Sequence, residues 1–394
     1  MPLYLVFSAL VGLTSGASFM NIAPAADLFR QMFGIGFDHL SVFLSALFWT
    51  HALSQVPAGL ASDRLGPLSL LRLSAIVGCL ANLLPLLAPG NFWYGVFCRL
   101  CLGLCTGMQF MAIMKFIGLL VPASRMPTVQ GIYGASFGVG TMFPFLVVPL
   151  LTYLGVAGWL SAYLLGSVFF LLVLLVSYRL PGVEVPPPVA GPKLATSLRV
   201  VASTPAVWIL GVLHGFSYGS LNNLGQWLPS VFADFSLGDW TFATTAVMLL
   251  GVLARAVSGR LVGWMTRAEV INRATLLIAL LFVCLGLAGS PLPTLVVGLV
   301  LAFMCGINYG SIFTLGSLLV APLYMATGLG LMNMVANLTN VFLILLLGGV
   351  REAAGAFQPA FLAVGAVVVL LWFLTRKYVT KIDTQVKNRG PYEQ

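Results

Sequence analysis

Charge is scarce in this chain. Only 7% of its 394 residues are Asp, Glu, Lys or Arg, against roughly 25% in soluble globular domains. So few charges exclude an ordinary water-solvated fold. Acid is scarcer than base, with ten Asp and Glu against nineteen Lys and Arg. No acid falls well inside a long apolar stretch. The three histidines form no metal-binding cluster, and neither paired acids nor a nucleophile constellation is evident, which argues against an enzyme. The six cysteines (Cys79, Cys98, Cys101, Cys105, Cys284 and Cys305) all lie in apolar stretches, so no disulfide framework is expected. Alternation of apolar with polar residues is missing as well, and that excludes a membrane barrel.

What is present is apolar length. The chain is 60% hydrophobic, with a mean hydropathy of +1.03. About twelve stretches are each long enough to cross a bilayer as a helix: near 3–25, 39–61, 68–88, 92–121, 127–152, 157–180, 205–230, 238–263, 271–290, 293–320, 323–350 and 357–376. The first lacks the basic start and cleavage site of a signal peptide and is read as retained. The net charge of +9 does not point to nucleic acid. Arg64, Arg72, Arg125, Arg179, Lys193, Arg199, Arg260, Arg267, Arg273, Arg376, Lys377, Lys381, Lys387 and Arg389 fall on one side if both termini share it. Arg30 and Arg351 are nearly all that remain opposite. This is the positive-inside pattern, with both termini cytoplasmic, as expected in a plasma (inner) membrane. The basic C-terminal tail is expected against anionic lipid.

The longest polar stretch, 181–204, contains Pro186-Pro187-Pro188 and reads as a cytoplasmic linker. It divides the chain into 1–180, the linker, 205–378 and a tail, 379–394. The two large parts are related. Gln55 to Gly59 aligns with Arg255 to Gly259, and Gly107-Met108-Gln109-Phe110 with Gly306-Ile307-Asn308-Tyr309. Ser15-Gly16-x-Ser18-Phe19 matches His214-Gly215-x-Ser217-Tyr218, and Gly131 matches Gly330. The offset is 199 or 200 each time. Four matches in order make duplication the better reading than chance. The expected fold is an all-α membrane protein of twelve transmembrane helices, in two six-helix bundles related by an internal repeat. Such halves usually enclose a binding site where they meet.

Six plus six helices, with Gly59-x-x-x-Asp63-Arg64-x-Gly66 after the second, resemble the major facilitator superfamily. Arg99-x-x-x-Gly103 on the fourth looks like that superfamily's second common motif. The resemblance covers nearly the whole chain. Pro67 stands where a basic residue is usual, Gly263 replaces the motif aspartate in the second half, and the fifth helix lacks the Gly-Pro pair of many antiporters. The resemblance implies secondary active transport by alternating access. It assigns Asp63 and Arg64 to gating, with membrane topology as the simpler reading of Arg64.

Three cations stand within the spans: Arg99, Lys115 and Arg255. A charge near mid-bilayer costs at least about 2.5–3.5 kcal/mol, so each should face a cavity or a partner. With no acid to neutralise them, an anionic substrate is expected. Arg255 lies about 12 Å inside its helix end, and its guanidinium can grip a carboxylate or nitrate through two parallel hydrogen bonds. Bonding to helix carbonyls, or bracing an interface, is the alternative. Small-anion porters of the superfamily often carry such an arginine. The nitrate/nitrite porters are similar there but carry a second arginine, where this chain has Gln55. One arginine suits a monocarboxylate at least as well. Arg99 is structural or proton-linked. Lys115 either snorkels to headgroups or lines a cavity.

His214 lies near the middle of its span, and histidine changes charge near physiological pH. It is the first candidate for proton coupling, with His51 as the rival and Arg99 as the third. Tyr218, Asn337, Tyr133 and Tyr309 join Arg255, Gln55 and His214 as candidate substrate contacts. Asn333, Asn337 and Asn340 form one polar stripe that contacts substrate or holds helices together. Cys98, Cys101, Cys105, Met108, Met111 and Met114 would suit copper(I), though packing explains them as well. The expected partners are a small anionic substrate, protons and membrane lipid, with no nucleic acid, no cofactor and no metal, in a monomer. Proton-coupled symport of a small anion such as a monocarboxylate leads. A nitrate/nitrite-type porter, a drug efflux transporter, a copper(I) importer and a non-transporting sensor follow.

Overall fold

The computed structural model describes residues 3–121, 125–180, 194–235, 241–261 and 264–388. Most of the expected linker, and Gly263, lie outside them. Among the described residues every regular element is helical. The first half runs α1 (Leu3–Met20), α2 (Ala26–Phe33), α3 (Phe37–Leu65), α4 (Pro67–Leu83), α5 (Phe92–Leu120), α6 (Met126–Met142), α7 (Pro144–Tyr153) and α8 (Gly158–Ser177). The second runs α9 (Leu194–Ala202), α10 (Pro205–Ala233), α11 (Thr241–Leu261), α12 (Arg267–Leu287), α13 (Pro291–Leu319), α14 (Met325–Ala354) and α15 (Phe357–Asn388).

Nine stretches among the described residues are long and apolar enough to cross a bilayer, with α1–α2 and most of α6–α7 each counting as one. The bent pair α9 and α10, at 78°, makes ten. The remaining two, α3 and α11, have 29 and 21 residues, which is length enough. Of these, α3 falls short in apolarity because it carries His51, Ser54 and Gln55, whereas α11 is apolar over the shorter stretch Phe242–Arg255. Twelve helices therefore traverse, as expected.

Local chemistry sets the helix ends. Asn91 accepts from the Tyr94 N–H at 3.0 Å to start α5. Thr266 and Glu269 form a reciprocal capping box on α12. Pro24 follows α1, whose helix stops at Met20 and resumes at Ala26 after a short 3₁₀ turn. Carbonyls in the last turn then lack an amide partner. Arg99 Nη1 donates to the Ser18 carbonyl at 3.3 Å and to Asn21 Oδ1 at 2.9 Å. Gln226 Nε2 donates to the Phe19 carbonyl at 2.8 Å.

Two compact units result. One comprises Met1–Val189 with Gly225–Leu249, the other Ala190–Leu224 with Leu250–Gln394. The repeat divides the chain at the linker instead, and the two divisions differ only over part of that linker and over Gly225–Leu249. The Gln226 bond, and the Met20 and Met248 sulfurs closing on Gly225, tie that stretch to the first unit.

The repeat is visible in packing. In the first unit, a methyl group on Gly12 or Gly16 of α1 would strike the Tyr133 or Phe137 carbonyl of α6. In the second, Gly211 and Gly215 of α10 stand in the same relation to the Met332 and Ala336 carbonyls of α14. All four pairs of positions are 199 apart. Small residues let helix backbones approach closely where lipid supplies no hydrophobic drive.

Residues from 379, grouped by sequence with the tail, continue α15 to Asn388. Val379, Ile382 and Val386 are buried at helical spacing in a core cluster shared with α12, α13 and α14. Asp383 accepts from Arg267 Nε at 2.9 Å and from the Ala268 N–H at 3.0 Å, so it caps the start of α12.

Candidate functional site

Close helix approach places the candidate residues of the second unit. Gly306 on α13 abuts the Gly251 carbonyl and Ala254 on α11. Arg255 follows Ala254 and Tyr309 lies one turn beyond Gly306, so the two meet. The Arg255 guanidinium carbon sits 4.9 Å from the Tyr309 ring centroid. Both side chains are half-buried. Among the described residues no carboxylate pairs with Arg255, and its buried Nε has no hydrogen-bond partner.

The α10–α14 contact supplies the rest. His214 is 1% exposed, with its ring 5.2 Å from Tyr309, 5.6 Å from Tyr218 and 4.8 Å from Phe313. Tyr309 and Phe313, one turn apart, stack at 4.6 Å and 28°. The Tyr218 hydroxyl donates to Asn337 Oδ1 at 3.4 Å, and Asn337 Nδ2 donates to the Asn333 carbonyl at 2.9 Å. Five expected residues, Arg255, His214, Tyr218, Tyr309 and Asn337, are thus brought together. His214 Nδ1 is buried without a partner among the described residues.

Phe313 was not anticipated. Its signal was its place one helical turn from Tyr309, which an apolar span full of aromatics conceals. Asn308 was noticed only as part of the repeat. It donates to Ser217 Oγ at 2.8 Å and joins α13 to α10. Its repeat partner Gln109 accepts from Ser15 Oγ at 3.2 Å. Asn340 accepts from Asn223 Nδ2 at 3.0 Å, the helix-joining role allowed for that stripe.

The remaining candidates assemble in the first unit. His51 Nδ1 lies 3.0 Å from Thr106 Oγ1, and its ring packs edge-on to Phe19 at 4.9 Å. Gln55 is buried. Tyr133 is buried and packs against Phe110, the repeat equivalent of Tyr309, at 6.1 Å. Arg99 is 2% exposed and bonded to the break in α1, with Phe43 at 5.9 Å. Lys115 pairs with Asp63 and also donates to the Ser62 carbonyl at 3.2 Å. It therefore has a protein partner, in place of the headgroups or cavity expected for it. Arg64 is exposed. Met111 packs on Gly59.

Helices this long and apolar, with polar residues buried among them, define a multi-pass integral membrane protein. Residues 8–343 match the model of the Major Facilitator Superfamily, and the chain belongs to that family. It is 28% identical over 247 residues to the human voltage-gated purine nucleotide uniporter SLC17A9, covering 57% of this chain and 56% of that protein. It is 26% identical over 262 residues to the probable sulfoacetate transporter SauU of Cupriavidus necator, covering 61% and 60%. The match thus spans little more than half the length of these relatives. Among solved structures, the nucleoside transporter NupG superposes with a TM-score of 0.79 at 12% identity, covering 96% of this chain and all of that one. The xylose transporter XylE from E. coli, partially occluded and inward open, gives 0.77 at 16%, covering 96% and 99%. Both show the shared fold.

Proposed function

We propose that this protein is a secondary transporter that carries a small organic anion of single charge, together with a proton, by alternating access. The observation that carries the reading is Arg255, a half-buried cation within a span, lying over the Tyr309 ring and without a carboxylate among the described residues. A charge so placed is stabilised by an anion that arrives with the substrate. Purine nucleotides and sulfoacetate, for which two relatives are named, are anions, and this supports the sign of the cargo. Arg255 grips the carboxylate, and Tyr218, held by Asn337, contacts its body. Gln55 and Tyr133 are the contacts proposed from the first unit. His214, in contact with the ring that carries Arg255, takes the proton. His51 and Arg99 are the lesser candidates for that role, each already bonded in place. The Asp63–Lys115 pair, with Arg64 beside it, serves as a gate.

The proton follows from energetics. Moving one charge against the membrane potential costs about 2.3 kcal/mol per 100 mV, and a co-transported proton cancels it. The placement of basic residues supports cytoplasmic termini in a plasma membrane. The test is uptake into proteoliposomes. Arg255→Gln is expected to abolish uptake of an anion that stabilises the wild type in a thermal-shift panel, with the folded protein intact. Undiminished uptake would sink the assignment.

A further inference from the structure

We infer that Tyr309 is a positioning residue, which fixes the plane of the Arg255 guanidinium and so makes the site select planar anions with two oxygens over monatomic ones. The inference rests on the proposal that Arg255 binds the anion, and adds how it chooses. A guanidinium can be approached over its face or along its edge. Here the guanidinium carbon lies over the Tyr309 ring, 4.9 Å from its centroid. Tyr309 is itself braced. Phe313 stacks on it at 4.6 Å, and His214, wedged by Tyr218 and Phe313, meets it edge-on at 5.2 Å. The ring therefore has little freedom to tilt, and the guanidinium lying on it has little freedom to turn.

The edge is what remains. Arg255 Nε is buried and makes no hydrogen bond among the described residues. An Nε–H and an Nη–H on one edge form a fork whose spacing matches two oxygens of a carboxylate. A halide can accept from both prongs but, being spherical, has no plane to match. Pre-orienting the fork removes rotamer freedom before the ligand arrives, which favours the planar ligand most. The first unit makes the contrast. At the equivalent places stand Phe110 and Gln55, a ring without the cation. The stack thus belongs to one half of the repeat.

The ring face, not the hydroxyl, does the positioning in this scheme. That separates two variants. The purified full chain is titrated in detergent with acetate, benzoate and chloride, by calorimetry. Tyr309→Phe keeps the ring and is expected to keep the wild-type ratio of carboxylate to chloride affinity. Tyr309→Leu is expected to weaken whichever carboxylate binds by about tenfold and to leave chloride unchanged, so that the ratio of carboxylate to chloride affinity collapses. Arg255→Lys keeps a charge without the fork, and should show the same collapse even if the leucine variant fails to fold. Equal ratios in wild type, Tyr309→Leu and Arg255→Lys would overturn the inference while leaving Arg255 as the anion site. Absence of binding by all three anions to wild type would overturn the inference together with the reading beneath it.

Discussion

Arg255, Arg99 and Lys115 are three cations in one apolar chain with three different fates. Lys115 meets Asp63, Arg99 meets the carbonyl and amide oxygens of a broken helix, and Arg255 meets only rings among the described residues. Partner chemistry, not depth, separates them. The Asp63 side chain is 58% exposed, and exposed ion pairs contribute about 0–1 kcal/mol. Asp63→Asn is therefore expected to leave the unfolding midpoint nearly unchanged while altering transport turnover. Parallel melting and uptake curves check this, and a large fall in midpoint with normal turnover would assign the pair to stability. Arg99→Leu leaves Asn21 and the Ser18 carbonyl without their donor inside the membrane. A loss of about 2–3 kcal/mol in reversible unfolding is expected, since an orphaned buried group retains its full desolvation cost.

Helices α1, α6, α10 and α14 show what the repeat preserves. Glycines recur where backbones nearly touch, and the side chains around them have diverged. Leucine at Gly215 would strike Thr339 and the Ala336 carbonyl, forcing α10 from α14 and parting Tyr218 from Asn337. Overpacking of this kind costs about 1–3 kcal/mol. Gly215→Leu is expected to lower the melting temperature and to abolish anion binding. The matching Gly16→Leu lies against α6 in the other unit, and should lower melting with a smaller effect on Arg255-dependent binding. Equal effects on binding would mean that the two units do not act separately. The pattern of spans and the duplication were legible in the sequence, because apolar length and repeated motifs are read along the chain; the places of close approach were not. The hydrogen bonds of Asn308 and the cap formed by Asp383 were not. Each joins residues 91 to 116 apart in the chain, and no local periodicity carries that information.

For the molecule as a whole, the balance of charge is the controlling quantity. Ten acids against nineteen bases leave no described carboxylate beside Arg255, and the proposed cycle makes up the balance with substrate. One anion moving with one proton is electrically neutral. Uptake in proteoliposomes is therefore expected to follow an imposed pH gradient and to change less than about twofold with an imposed potassium-diffusion potential. His214→Gln should remove the response to pH. Uptake driven by the potential alone would exclude neutral symport.

Composition by itself determined that the chain lives in a bilayer as helices. With so few charges, and spans of about 20 apolar residues, every backbone amide must be bonded within its own helix. Offsets of 199 and 200 determined that there are two related halves. Only the tertiary structure decided which polar residues meet. Arg255 stands beside Tyr309, and Tyr218 beside Asn337, because glycines allow α11 to touch α13 and α10 to touch α14. A side chain's partners depend on how helices cross, and a crossing is a property of two surfaces rather than of either sequence.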